Sequence, residues 1–97
     1  MRLAKVLGQV VSTAKEPGLD RFTLLLVQDA DDDEPDRSAG PCAVAVDVVG
    51  AGVGEVVLVV SGGAARVAAG ADTPTDLAVV GIADTVIRDR AVVYRKE

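Results

Sequence analysis

Three glycines, Gly50, Gly52 and Gly54, stand in the segment Asp47–Glu55, "DVVGAGVGE", between two apolar runs. Closely spaced glycines can bend backbone N–H groups round a phosphate, so a nucleotide site is the first chemistry to consider. A dinucleotide fingerprint requires G-x-G-x-x-G between a strand and a helix, so that the helix N-terminus faces the pyrophosphate. Here the spacing is G-x-G-x-G, and the following "EVVLVVS" (Glu55–Ser61) is a β-branched run that reads as a strand. The Gly-Lys-Ser/Thr ending of a phosphate-binding loop is missing. The glycines therefore read as backbone geometry, a strained or crowded connection between two strands.

The acidic stretch "DADDDEPDRSAG" (29–40) suggests calcium, since Asp29, Asp31 and Asp33 fit positions one, three and five of an EF-hand loop. Position six holds Glu34 instead of Gly, and position twelve holds Gly40 instead of Glu. The stretch reads instead as a solvated, flexible loop with no apolar residue larger than alanine to anchor it. Asp47, Glu55 and Asp84 could serve as acids or bases. No nucleophile or pocket accompanies them, and they read as capping or interface partners. With one cysteine, Cys42, and no histidine, the chain cannot assemble an ordinary zinc site, a Ser-His-Asp triad or a Cys-His pair. No catalytic, cofactor-binding or metal residue is assigned.

The elements that carry these segments belong to one domain of 97 residues. Such a short chain buries a small fraction of its surface, yet 49% of its residues are hydrophobic and only Phe22 and Tyr94 are aromatic. More apolar surface than one copy can hide points to obligate oligomerisation. The net charge of −5 disfavours phosphate backbones and anionic membranes. No apolar run is long enough to cross a bilayer, and the N-terminus reads as a strand rather than a signal peptide. A single cysteine fits a reducing cytoplasm.

Strands are expected over 2–13, 22–28, 42–49, 55–61, 77–88 and 91–96, with Pro17-Gly18 and Asp89-Arg90 as turns and a short helix over 63–70. This is an all-β pattern, a small closed barrel or sandwich with one short helix and a C-terminal hairpin. Strands apolar at nearly every position must be covered on both faces, and a second copy of the chain is the expected cover. A five-stranded barrel also raises an OB-type module that binds a nucleic acid or small ligand. Single-strand binders, however, combine a basic groove with stacking aromatics, and this chain offers neither.

Three blocks carry a more specific resemblance. They are "AKVLGQVVSTAKEPGLDRFTLLLVQ" (4–28), "AVDVVGAGVGEVVLVVSGGAAR" (45–66) and "VVGIADTV" (79–86). In this order and at these separations they resemble the EutN/CcmL family, the pentameric vertex proteins of bacterial microcompartment shells. The resemblance covers nearly the whole chain. It implies a five-stranded OB-like barrel that assembles into a cyclic homopentamer, closes shell vertices beside hexameric and trimeric facet proteins, and catalyses nothing. It implies no cofactor, nucleic acid or membrane partner. The pentamer interface and pore are then expected at Gly50, Ala51, Gly52, Val53, Gly54, Glu55, Ser61 and Arg66. In a ring, glycines let backbones approach near the axis, and Glu55 and Arg66 are candidate cross-subunit or corner partners, with a solvated Arg66 as the alternative. The acidic loop departs from the family's variable loop at that place.

Overall fold

The structure, a computed structural model, describes residues 1–97. Seven strands and one helix follow in order: β1 Arg2–Val10, β2 Leu24–Ala30, β3 Ser38–Asp47, β4 Val56–Ser61, α1 Gly63–Ala69, β5 Leu77–Ile82, β6 Thr85–Arg88 and β7 Ala91–Arg95. A 3-10 turn, Pro17–Leu19, occupies the Pro-Gly connection between β1 and β2. The first five strands close a barrel in the order β1-β2-β3-β5-β4, and β6 and β7 form a separate two-stranded ribbon. One seam of the barrel is parallel and short, with only Val46↔Ala78 and Asp47↔Val79 paired between β3 and β5. All other neighbours are antiparallel.

Alternation along the strands fills the barrel. Ala4, Val6, Leu25, Val27, Ala45, Val57, Val59, Leu77 and Val79 point inward and form one buried cluster. Successive strand residues face opposite sides, so these positions recur every second residue. The chosen side chains are small because five strands enclose a narrow interior, and each buried valine contributes about 1.5–3 kcal/mol. Intervening residues Val46, Val60 and Ala78 point outward and pack under Ala65 and Ala69 of α1. Ala65 and Ala69 share one helix face because they are four residues apart. This double burial explains the continuous apolar runs of β3, β4 and β5.

The helix thus covers part of the second face that was expected to need another copy. Other apolar side chains stay exposed, among them Val44, Val48, Val49 and Val53. The region read as one strand over 77–88 is two strands in two sheets. The Ala83 amide bonds to the Val56 carbonyl, and the chain leaves the barrel before β6.

The acidic loop is shorter than 29–40. Ala30 pairs with Ser38, so β2 and β3 extend into it and only residues 31–37 form the turn. Asp31 Oδ1 accepts the amides of Asp33 (2.7 Å) and Glu34 (3.1 Å). Pro35 is buried, so the turn is anchored where an unanchored loop was expected.

Candidate assembly surface

The glycine segment closes one end of the barrel. The Val48 amide bonds to the Val79 carbonyl at the β3–β5 seam. At the other side of the opening, Gly54 N–H donates to Val6 O (2.8 Å) and Val6 N–H to Glu55 O (3.0 Å). The loop therefore crosses from β3 to β1, and Ala51 packs against the interior cluster beneath it.

Two carboxylates hold the crossing in shape. Asp47 Oδ1 accepts from the amides of Val49 (3.1 Å) and Gly50 (3.0 Å), while its Oδ2 accepts from Ala51 (2.9 Å). Glu55 Oε1 accepts from the Gly52 amide at 2.6 Å. Gly50 and Gly54 have φ of 84° and 91°, the left-handed region that glycine enters without a Cβ penalty. The amides that would cradle a phosphate already serve the chain's own carboxylates, so the loop is an internally satisfied cap. Asp47 is the capping residue that the sequence suggested. The Asp-x-x-Gly spacing is its signal, since Asp side chains bond to amides two and three residues on.

Glu55 has a further partner. Lys96 Nζ lies 2.6 Å from Glu55 Oε2. That hydrogen bond first, and the Gly52 amide second, hold the Glu55 carboxyl below its ordinary value. The same contact raises Lys96. Glu55 does not pair with Arg66 within the chain; Lys96, next to the last residue Glu97, takes that place, and no sequence pattern marked it. Asp29, Asp31 and Asp33 do not converge on a cation position. Asp29 pairs with Arg2, Asp31 serves the turn amides, and Asp33 reaches Arg88 at 2.6 Å.

The expected interface residues fall into two groups. Gly50, Ala51, Gly52, Val53, Gly54 and Glu55 lie at the end of the barrel where β4 begins. Ser61 ends β4 and Arg66 lies on α1, so both lie at the opposite end, roughly 17 Å away at the rise of an extended strand. Three exposed valines, Val48, Val49 and Val53, give the glycine cap an apolar outer surface, with Val53 67% exposed. Beside α1, an open groove of about 460 Å³ is lined by Leu19, Leu24, Val44 and Pro74, with Arg66 and Asp76 among its polar residues.

A closed five-strand barrel, capped by its own carboxylates and carrying apolar surface at both ends, defines a small structural protein built to meet other protein surfaces. A family model described as "Ethanolamine utilisation protein EutN/carboxysome" matches residues 1–84, and the chain belongs to this EutN/CcmL family. Over 98 residues it is 47% identical to the bacterial microcompartment shell vertex protein EutN of Escherichia coli K12, spanning 99% of this chain and 100% of the relative. The solved carboxysome subunit CcmL superposes with a TM-score of 0.91 at 49% identity, each chain covered in full. GrpN, the pentameric microcompartment shell protein from Rhodospirillum rubrum, superposes with a TM-score of 0.82 at 43% identity, covering 91% of this chain and 99% of its own. These relatives are structural shell proteins rather than enzymes. The expected all-β barrel, single helix and C-terminal hairpin agree with both the strand order and these structures.

Proposed function

We propose that five copies of this chain form a ring that closes the vertices of a bacterial microcompartment shell. The observation that carries this reading is end-to-end similarity to named shell vertex proteins, in a fold whose polar loop groups are satisfied internally and whose exposed ends are apolar. The mechanism is geometric. A sheet of six-fold tiles can lie flat or roll into a tube, whereas a five-fold unit introduces the curvature of a corner. Hexameric and trimeric facet proteins are the partners this role requires at the ring's rim.

Within the ring, the cap formed by Gly50, Ala51, Gly52, Val53, Gly54 and Glu55 provides one contact surface, and Ser61 with Arg66 belongs to another. A cyclic ring joins unlike surfaces head to tail, which suits two groups at opposite ends of a barrel. Gly52 supports this reading. Its φ is outside the left-handed region, and a Cβ there would make only ordinary contact, 3.5 Å from Glu55 Oε1. Nothing within one copy demands glycine at that position, so crowding by a neighbour supplies a reason for it.

Native mass spectrometry tests the ring. Five chains of 9.9 kDa give a particle of about 50 kDa, and a stable monomer at micromolar concentration would refute the reading. In a cell carrying a complete shell operon, deletion of this gene leaves enclosed enzymes active in lysate and yields elongated, unclosed shells. Normally closed polyhedra, with no second vertex protein present, would sink the vertex role.

A further inference from the structure

The β6–β7 ribbon carries two unlike cross-strand pairs. Its register pairs Val86 with Tyr94 and Ile87 with Val92 across the strands. The register shifts between Val86 and Ile87, a bulge that breaks simple alternation, and the two pairs differ in burial. Tyr94 is buried and lines the cleft with Lys5, Val53 and Glu55. Ile87 and Val92 lie side by side, 66% and 48% exposed. A two-stranded ribbon outside the barrel has little stability of its own, and a doublet of large β-branched residues facing water adds nothing to it.

The ribbon also differs in charge from the body that bears it. Residues 85–97 carry four basic and two acidic side chains, whereas residues 1–84 carry six basic and thirteen acidic ones. At the ribbon's tip, Asp89 and Arg90 have φ of 50° and 67°, both in the left-handed region. This is the geometry of a two-residue hairpin turn that favours Asn-Gly. An arginine at the second position costs backbone energy and holds a guanidinium at the tip. Arg90 makes no ion pair within the chain, unlike Arg88, which is held by Asp33.

We propose that this ribbon is the arm by which each subunit grips the next, its Ile87–Val92 doublet seated in the neighbouring copy's apolar groove beside α1 and its Arg90 paired with that copy's Asp76. The inference rests on the ring proposed above and names the contact that closes it. The groove offers Leu19, Leu24, Val44 and Pro74 as apolar lining, and Val44 is 45% exposed. Asp76 at the groove has no ion-pair partner in its own chain, and Arg66 beside it comes within ion-pairing distance of no carboxylate. Arm and groove share no residue, so one subunit can offer its groove to the neighbour on one side while its arm engages the neighbour on the other. Repeated head to tail, such a contact generates a ring or a filament, whereas a reciprocal exchange of arms would give a two-fold dimer.

Two experiments on the full chain test this. In the first, Ile87→Asp with Val92→Asp should raise the concentration at which the ring forms at least tenfold, read by native mass spectrometry. The monomer's thermal unfolding should change little, because neither side chain is buried in one copy. In the second, Val92→Cys with Val44→Cys, in a Cys42→Ser background, should give an oxidised ladder of up to five chains on a denaturing gel, while either cysteine alone gives none. A double-Asp variant that assembles at the wild-type concentration overturns the arm. Ring loss without a ladder overturns the groove as its seat. Wild-type protein that stays monomeric is a different result, since it refutes the ring itself before either variant is made.

Discussion

Lys96 Nζ lies 2.6 Å from Glu55 Oε2, and this ion pair ties the C-terminal end of the chain to the cap of the barrel. Its two partners titrate in opposite senses. Glu55 is held below its ordinary 4.5 by Lys96 and then by the Gly52 amide. Its stabilisation is therefore complete above that value and is lost as pH falls through the lower folded-state value. Lys96 is raised above 10.5, so its contribution is complete below that value and is lost as pH rises through the higher one. Thermal unfolding followed against pH should show a plateau with a fall below about 4.5 from this carboxylate. In Glu55→Gln the acid fall should be shallower and the plateau lower.

Asp47 accepts from three consecutive amides of the cap, and no other side chain bonds to them. Asp47→Ala should cost about 2 kcal/mol in denaturant unfolding, the scale of charge-assisted hydrogen bonds. Asp47→Asn should fall between, since the amide oxygen keeps part of the set. A loss below about 0.5 kcal/mol, the size of an ordinary surface change, would mean that water satisfies the loop equally well.

Gly52 and Gly54 should separate backbone strain from crowding. Gly54 has a φ of 91°, so Gly54→Ala should destabilise the monomer by about 1–2 kcal/mol whatever surrounds it. Gly52→Val should leave monomer stability nearly unchanged and weaken the ring, measured by native mass against concentration. Gly40 is no neutral control for either, because it too has a positive φ, 92°, within β3.

Arg90→Gly should raise monomer stability by about 1 kcal/mol, because it relieves a left-handed non-glycine residue at an exposed turn. Calorimetric unfolding of the monomer checks it. If the arm uses Arg90 as proposed, the same substitution should weaken the ring, so the two measurements move in opposite directions.

Replacing 31–36 by a Gly-Ser linker should cost more than the 1 kcal/mol typical of an exposed loop. The turn holds a buried Pro35 and the Asp31 amide bonds, and it supplies Asp33 to Arg88 and Asp36 to Lys5. Arg88→Ala alone should cost at most about 1 kcal/mol, as exposed pairs do. Urea unfolding of both variants distinguishes the turn's internal structure from its outward contacts.

Much of this was legible in the chain because alternation and glycine placement are local signals. The inward set of Val57, Val59, Leu77 and Val79 follows from period two, and the short helix from alanines bracketed by glycines. The break between β5 and β6 was not legible. Leu77–Arg88 is β-forming at most positions, and the weak strand formers Ala83 and Asp84, where the break falls, are too short a signal to separate from the run around them. Lys96 was missed for another reason: it lies 41 positions along the chain from Glu55, and long-range ion pairs leave no periodic trace. Pro35 lies in a stretch that reads as unanchored, although its ring carries apolar surface that can be buried. The opening glycines were read as a crowded connection. Their role within one copy is to let Asp47 gather the amides of a cap.

The two-residue parallel seam between β3 and β5 has a consequence for synthesis on the ribosome. β1, β2 and β3 are antiparallel neighbours in chain order, so this meander can zip as it emerges. Closure must wait for β5, which pairs with both β3 and β4. Until residues near Val79 leave the exit tunnel, the nascent chain carries an open sheet with unpaired edges and a valine-rich face. A pause before that point would lengthen the life of an aggregation-prone intermediate. Codon usage and chaperone contact over 48–79 should therefore influence yield more than the same changes beyond Ile82.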